Sequence, residues 1–260
     1  MLSPARTSQA DIGIVGFGAF GRLVARHLAP YARLRVYDPR LSEEDRRQHA
    51  ALVGSLEDAA RCSIVILAVP VSSLEEAVEA VSPHLQAGAL VVDVGSVKTV
   101  PVQVMQAKLP PHVHILGTHP LFGPQSAARG LRGLKIVLCP VRGGQGRRVA
   151  AFLRRVLGLE VIVTTPDAHD RDAAIVQGLT HLIAQVLVSM EPFPAQMTTR
   201  SFEAIMQGVD MVRHDAPEVL QAIAVLNPYT ASVRRQFSDH AARFTRTAPG
   251  DPPGEALRSR

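Results

Sequence analysis

His119 stands in Gly117-Thr118-His119-Pro120-Leu121-Phe122-Gly123-Pro124, directly after an apolar run. The stretch is too rich in Gly and Pro to be helical, so the imidazole is expected on a fixed loop at the carboxyl edge of a sheet. A histidine held there can take a proton from a hydroxyl as hydride leaves the same carbon, because imidazole titrates near neutrality. Ser96, at the end of another apolar run in Asp93-Val94-Gly95-Ser96, is expected to share that hydrogen bond and orient the ring. His181 follows Thr180 inside an apolar helical stretch. A lone histidine in such a helix is ordinarily a satisfied core residue, but a Thr180–His181 pair turned toward a cleft would contact substrate.

A second constellation concerns phosphate. Gly16-Phe17-Gly18-Ala19-Phe20-Gly21 follows an apolar strand, opens a helical pattern and is followed, at the end of the next strand, by Asp38. Gly16 permits the tight turn, Gly18 lets the backbone approach a pyrophosphate, and Gly21 lets the helix lie close to the strand. The N–H groups at the start of that helix, at Ala19 and Phe20, complete an anion site. Asp38 would accept both hydroxyls of a ribose and repel a 2′-phosphate, which favours NAD over NADP; Arg40, two residues on, softens that preference. Val69, Pro70 and Ser96 end two further strands and are expected to line the nicotinamide.

The elements that must position these groups alternate. Short, near-continuous apolar runs at 12–15, 34–37, 64–69, 90–94, 113–116, 134–138 and 160–163 read as strands buried on both faces, and 19–28, 74–81 and 146–157 between them read as helices. Alternating β and α implies an α/β, Rossmann-type, doubly wound parallel sheet. From Pro166 onward the pattern is helical: 167–190 as one long helix with Asp167 or Asp170 as its N-cap and Pro192 past its end, then 201–211 and 217–237. The expected organisation is a nucleotide-binding domain over 1–165, an all-helical substrate and dimerisation domain over 166–246, and a frayed tail over 247–260. The helices after residue 170 are few for an isolated core, so two copies are expected to pair through them.

Composition narrows the partners. Aromatics make up 4% with no Trp, which argues against stacking platforms for single-stranded nucleic acid. The net charge is +5, from 28 Lys and Arg, but the cations are scattered and only Lys98, Lys108 and Lys135 are lysines. Small anionic ligands suit such an arginine surplus better than a polyanion. Cys62 and Cys139 read as free buried thiols, with no metal spacing. No apolar run approaches a membrane-spanning length and no leader pattern opens the chain, so a cytoplasmic protein without a membrane partner is expected.

Taken together, the Gly16–Gly21 turn, Asp38, Ala68-Val69-Pro70, Asp93-Val94-Gly95-Ser96-Val97-Lys98, the His119 stretch, Gln177-Gly178-Leu179-Thr180-His181-Leu182 and Asn227-Pro228-Tyr229 resemble the prephenate/arogenate dehydrogenase family of tyrosine synthesis. The resemblance implies oxidation of a cyclohexadienol that carries a ring carboxylate. His119, supported by Ser96, would accept the C4 hydroxyl proton as hydride passes to NAD; carbon dioxide then leaves and the ring aromatises. It implies a substrate contact from His181 and an arginine of the helical part on the side-chain carboxylate. The approximate register puts Leu220 at that position, which leaves Arg213, Arg200 or Arg234; Arg213, Gln125 and Ser126 are taken as substrate contacts with Thr180. Preference for prephenate, arogenate or a 4-amino analogue stays open, and no appended regulatory module is expected. Two other readings also stand: a β-hydroxyacid dehydrogenase or imine reductase of the same architecture, which usually has a helical-domain lysine or lacks the His119 loop, and a non-catalytic NAD sensor.

Overall fold

The apolar runs form seven strands, β1 (Ala10–Val15), β2 (Ala32–Tyr37), β3 (Ile64–Leu67), β4 (Leu90–Asp93), β5 (His114–Pro120), β6 (Lys135–Arg142) and β7 (Glu160–Val163). They lie in one sheet in the order β2-β1-β3-β4-β5-β6-β7. Between them run α1 (Ala19–Leu28), α2 (Glu43–Gln48), α3 (Leu56–Ala60), α4 (Leu74–Val81), α5 (Thr99–Lys108) and α6 (Gly146–Arg155). The computed structural model describes residues 10–245, so the tail assigned to 247–260 lies outside the described residues.

Burial on both faces explains the unbroken apolarity of the strands. On one face Ile12, Ile14, Ile66, Val92 and Leu116 pack with Leu23 of α1 and Ala150 of α6. On the other, Val65, Leu67, Val91 and Ile115 pack with Val78 of α4 and Met105 of α5. The chain leaves β1 toward β2 in one direction and returns to β3 on the other side. The carboxyl ends of β1 and β3 therefore flank a switch point, where open α/β sheets bind ligands.

Two features of the sheet depart from expectation. It is not wholly parallel: β5 and β6 run antiparallel, with Gly117 opposite Cys139 and His119 opposite Val137. Periodicity marks a buried strand but carries no information on its direction. In addition, β5 runs on through Gly117, Thr118, His119 and Pro120, so His119 lies in a strand rather than on a loop. Pairing with β6 extends the strand, and the Thr118 hydroxyl donates to the Asp93 carbonyl at 2.7 Å, tying it to β4. Pro120 sits at the strand's last position, beyond Gly117 where the ladder to β4 ends.

After β7 the described residues are helical. The long helix spans Pro166–Ser189 as α7 (Pro166–Ala173), a π-helical segment Ala174–Leu179 and α8 (Thr180–Ser189). Its N-cap is Thr165, whose hydroxyl accepts from the Ala168 amide at 3.2 Å; Asp167 and Asp170 are engaged elsewhere. By length and composition this helix could cross a membrane, contrary to the expectation that no segment approaches that length. Its polar residues Asp170 and His169 are paired within the protein. Then follow α9 (Arg200–Val212), α10 (Pro217–Gln221), a second π segment Ala222–Leu226 and α11 (Thr230–Thr245). The expected 217–237 helix is thus broken at Asn227-Pro228-Tyr229. There Asn227 Nδ2 donates to the Asp170 carbonyl at 2.8 Å while its Oδ1 accepts the Tyr229 amide at 2.9 Å. The break is a clasp holding α7.

Candidate active site

The glycines of the first turn serve three different physical needs. Gly16 has φ +96, and a Cβ there would come within 2.5 Å of the Ala68 carbonyl oxygen just past β3. A Cβ on Gly21 would lie 2.2 Å from the Gly16 carbonyl oxygen, so α1 could not sit where it does. Gly18 differs: a Cβ there would meet nothing within 4 Å. Among the described residues no neighbour requires that glycine, and the bare backbone faces open space at an α1 N-terminus with no side-chain cap. This is the surface a pyrophosphate needs.

Asp38 follows β2 and is buried. Its Oδ2 accepts the Phe17 amide at 2.7 Å and its Oδ1 the Arg40 amide at 2.8 Å, so the carboxylate is fixed against the turn with lone pairs to spare. Phe17 is inward, edge-on to His49 with Arg22 over its ring; Phe20 packs toward Phe122. Val69 and Pro70 lie between β3 and a short 3₁₀ turn at Val71–Ser73. The residues present fit a dinucleotide, with Gly18 and the first turn of α1 toward the phosphates and Asp38 toward a ribose.

His119 is buried, with only 3% of its surface exposed. Its Nδ1 lies 2.8 Å from His169 Nε2, and its Nε2 lies 3.4 Å from Gln177 Nε2. His169 Nδ1 is in turn 2.8 Å from Asp170 Oδ1. Asp170 accepts the Lys98 and Thr99 amides at 2.8 Å each, capping α5 from a helix distant in sequence. Burial opposes its charge, but the donors from His169, Thr99 and Lys98 outweigh that and hold the carboxyl below its usual range. Beside them Lys98 and Asp93, both fully buried, form an ion pair. Burial pushes the Asp93 carboxyl up against the pull of Lys98. Burial, then the His169 ring, then the Lys98 charge hold His119 well below the usual imidazole range. All three favour the neutral ring, the form a proton acceptor needs.

Ser96 was expected to orient His119, but the ring's hydrogen-bond partners are His169 and Gln177. The chain turns from β4 into α5 so that Lys98 and Thr99, rather than Ser96, meet the helical part. His181 is buried and faces Asp215 at 3.1 Å; burial lowers its pKa against the pull of Asp215. Thr180 is not brought to that cleft: it lies on the exposed side of α8, where its hydroxyl donates to the Val176 carbonyl. Gln125 and Ser126 are exposed, and the Ser126 hydroxyl closes its own turn with Gly123. Arg213 is held by Glu191 at 2.8 Å and Asp210 at 3.1 Å, and Arg200 is exposed at the start of α9. Arg234 on α11 has a buried Nε without a partner; among the described residues the other orphaned buried side-chain atoms include Gln177 Oε1 and His181 Nδ1.

His169 and the site roles of Asp170, Gln177 and Lys98 do not emerge from the sequence. The available signal was an adjacent His-Asp pair at a helix start, which reads equally as a cap. The π segment between Asp170 and His181 has no sequence signature, although such bulges accompany functional sites. Among the described residues no group of three His, Cys, Asp or Glu side chains is placed to hold a metal ion, and Cys62 and Cys139 are free and buried.

Fold and turn define the class: a Rossmann-type nucleotide-binding protein with a helical part over the carboxyl edge of its sheet. Residues 37–175 match the family model of the prephenate dehydrogenase nucleotide-binding domain, and the chain belongs to that family. A probable arogenate/prephenate dehydrogenase of Methanocaldococcus jannaschii is 36% identical over 131 residues, covering 49% of this chain and 29% of that protein. Arogenate dehydrogenase 1, chloroplastic, of Arabidopsis thaliana is 28% identical over 244 residues, covering 88% and 38% respectively. The chain thus spans well under half the length of these two relatives. Among solved structures, prephenate dehydrogenase from A. aeolicus, in complex with hydroxyphenyl propionate and NAD+, shares the fold. Its TM-score is 0.72 at 21% identity, covering 93% of this chain and 91% of that one.

Proposed function

We propose that this chain catalyses the NAD-dependent oxidative decarboxylation of prephenate, arogenate or a close analogue, in tyrosine synthesis. The observation that carries the reading is His119: a buried imidazole at the carboxyl edge of the sheet, with Nδ1 against His169 and Nε2 on the side of Gln177. The names of the relatives and the family support the substrate class. When bound, the oxidised dinucleotide supplies the hydride acceptor, which Asp38 favours as NAD because its carboxylate repels a 2′-phosphate.

His119 Nε2 accepts the proton of the C4 hydroxyl, the carbonyl so formed draws electrons from the ring, and loss of the ring carboxylate as carbon dioxide restores aromaticity. Gln177 offers an amide beside the same nitrogen. His181 lies on α8, and its buried Nδ1 has no partner among the described residues. Of the three candidate arginines, Arg234 has a buried Nε with no partner among the described residues, and α11 packs along the π segment that carries Gln177. We therefore assign it, rather than the acid-bound Arg213, to the side-chain carboxylate.

The exposed side chains of Ile175, Val176, Val186, Met190, Ile205 and Met211 in the helical part support pairing with a second copy. The experiment for the reaction crosses prephenate and arogenate with NAD and NADP and follows reduced cofactor. Turnover with NAD and at least one substrate is expected, and none in all four combinations refutes the assignment.

A further inference from the structure

When two buried histidines share a hydrogen bond, one ring must donate and the other accept. Asp170 decides which. Its carboxylate accepts the Lys98 and Thr99 amides and lies 2.8 Å from His169 Nδ1. An ionised carboxylate has nothing to donate, so His169 carries its proton on Nδ1 and its Nε2 is bare. His119 Nδ1, 2.8 Å from that bare nitrogen, must then donate. This leaves His119 Nε2 unprotonated on the side of Gln177. The tautomer of one ring is thereby set through the other, as metal-free triads set theirs through a carboxylate.

We propose that His169 and Asp170 form a proton relay with His119, fixing the reactive tautomer before the reaction and drawing charge off the ring after it. The proposal rests on His119 as the base. As the substrate O–H bond breaks and its proton joins His119 Nε2, the Nδ1 proton of His119 crosses to His169 Nε2. His119 is then neutral again, and the positive charge sits against Asp170. Two protons each move one step, which carries one positive charge to His169 and no electrons, since the electron pair of the substrate C–H bond goes to the nicotinamide. Without it the charge would stay on His119, where burial first, and then the His169 ring and the Lys98 charge, disfavour protonation.

The other groups facing the relay do not compete for its proton. Lys98 is paired with Asp93, and Gln177 does not titrate. The Cys139 thiol opposite Gly117 is pushed up to about 12, chiefly by burial. His169 and Asp170 are positioning residues in this scheme: they act through His119 and need not touch substrate.

The test is the nitrogen-15 spectrum of the histidine-labelled full chain, which reads the tautomer directly, beside steady-state kinetics. His119 is expected to be protonated at Nδ1 and bare at Nε2. His169→Leu removes the acceptor: Nε2 of His119 should become protonated and kcat should fall about a hundredfold, with KM little changed. His169→Gln, whose amide oxygen can still accept, should keep the tautomer and recover part of the rate. A protonated His119 Nε2 in the unaltered chain overturns the relay whatever the turnover, and this holds even if His169→Leu fails to fold. So does an active chain whose folded His169→Leu variant keeps kcat within about twofold. An unaltered chain with the expected tautomer but no turnover on either substrate supports the relay geometry and overturns only the functional assignment.

Discussion

The Lys98 amide donates to Asp170 Oδ1 at 2.8 Å, across 72 residues of chain. Together with the Thr99 amide on the second oxygen, it gives α5 an N-terminal cap supplied by the helix that covers the sheet. One carboxylate thus registers the β4–α5 turn, His169 and α7 against each other. Asn227 secures the same residue through its backbone carbonyl.

Asp170→Ala leaves two amides at the start of α5 without their acceptor. A loss of roughly 1–3 kcal/mol is expected from unsatisfied buried donors, measured by urea denaturation at pH 7. Stability equal to the parent would show that the cap contributes nothing.

The three glycines of the nucleotide turn should separate by experiment. Gly18→Ala adds a methyl to open space, so melting temperature should be unchanged while NAD affinity falls at least tenfold. Gly21→Ala drives a methyl into the Gly16 carbonyl and should lower the melting temperature itself. Calorimetric titration and thermal melts on both variants check the contrast; weak NAD binding by the parent, or full affinity in Gly18→Ala, contradicts it.

Arg213 and Arg234 make opposite predictions. Arg213 already satisfies two carboxylates at the surface, where such pairs contribute about 0–1 kcal/mol, so Arg213→Met should leave KM for substrate nearly unchanged. Arg234→Met keeps the aliphatic stem but removes the Nε that has no partner among the described residues, and should raise KM about tenfold, the scale of one charged hydrogen bond. Steady-state kinetics on both variants decides between them.

Two buried histidines link stability to pH. Burial lowers the folded-state pKa of His119 and of His181, while the unfolded values stay near 6.5. A group depressed in the folded state contributes its full stability above the unfolded pKa and loses it as pH falls toward the folded one, because the unfolded chain binds protons first. The melting temperature should therefore be flat from pH 8 to 7 and drop between pH 6.5 and 5. His119→Gln should blunt the drop, and an unchanged slope in that variant would show that His119 does not carry it.

Much of this architecture is readable in the chain because burial writes itself into composition. Runs such as Ile64–Leu67 and the Leu90, Val91 and Val92 of β4 are apolar because helices cover both their faces, and Gly16, Gly21 and Asp38 are where a strand-turn-helix must have them. Direction is not written that way: nothing in Lys135–Arg142 distinguishes an antiparallel neighbour from a parallel one. His119 reads as a loop residue because Gly117 and Pro120 flank it, although tertiary pairing makes it strand. The His119–His169 contact joins residues 50 apart across an interface that no local pattern encodes. Asp170 misleads for a related reason: an acidic residue near a helix start suits a cap, and it does cap a helix, but α5 rather than its own.

The most direct measurement is the turnover number of His119→Asn at saturating NAD and substrate. With the base removed and the strand pairing retained, kcat should fall about a hundredfold to ten-thousandfold, while the dissociation constant for NAD stays within about twofold of the parent's. A folded variant that keeps most of its rate would contradict His119 as the proton acceptor and, with it, the account of this site.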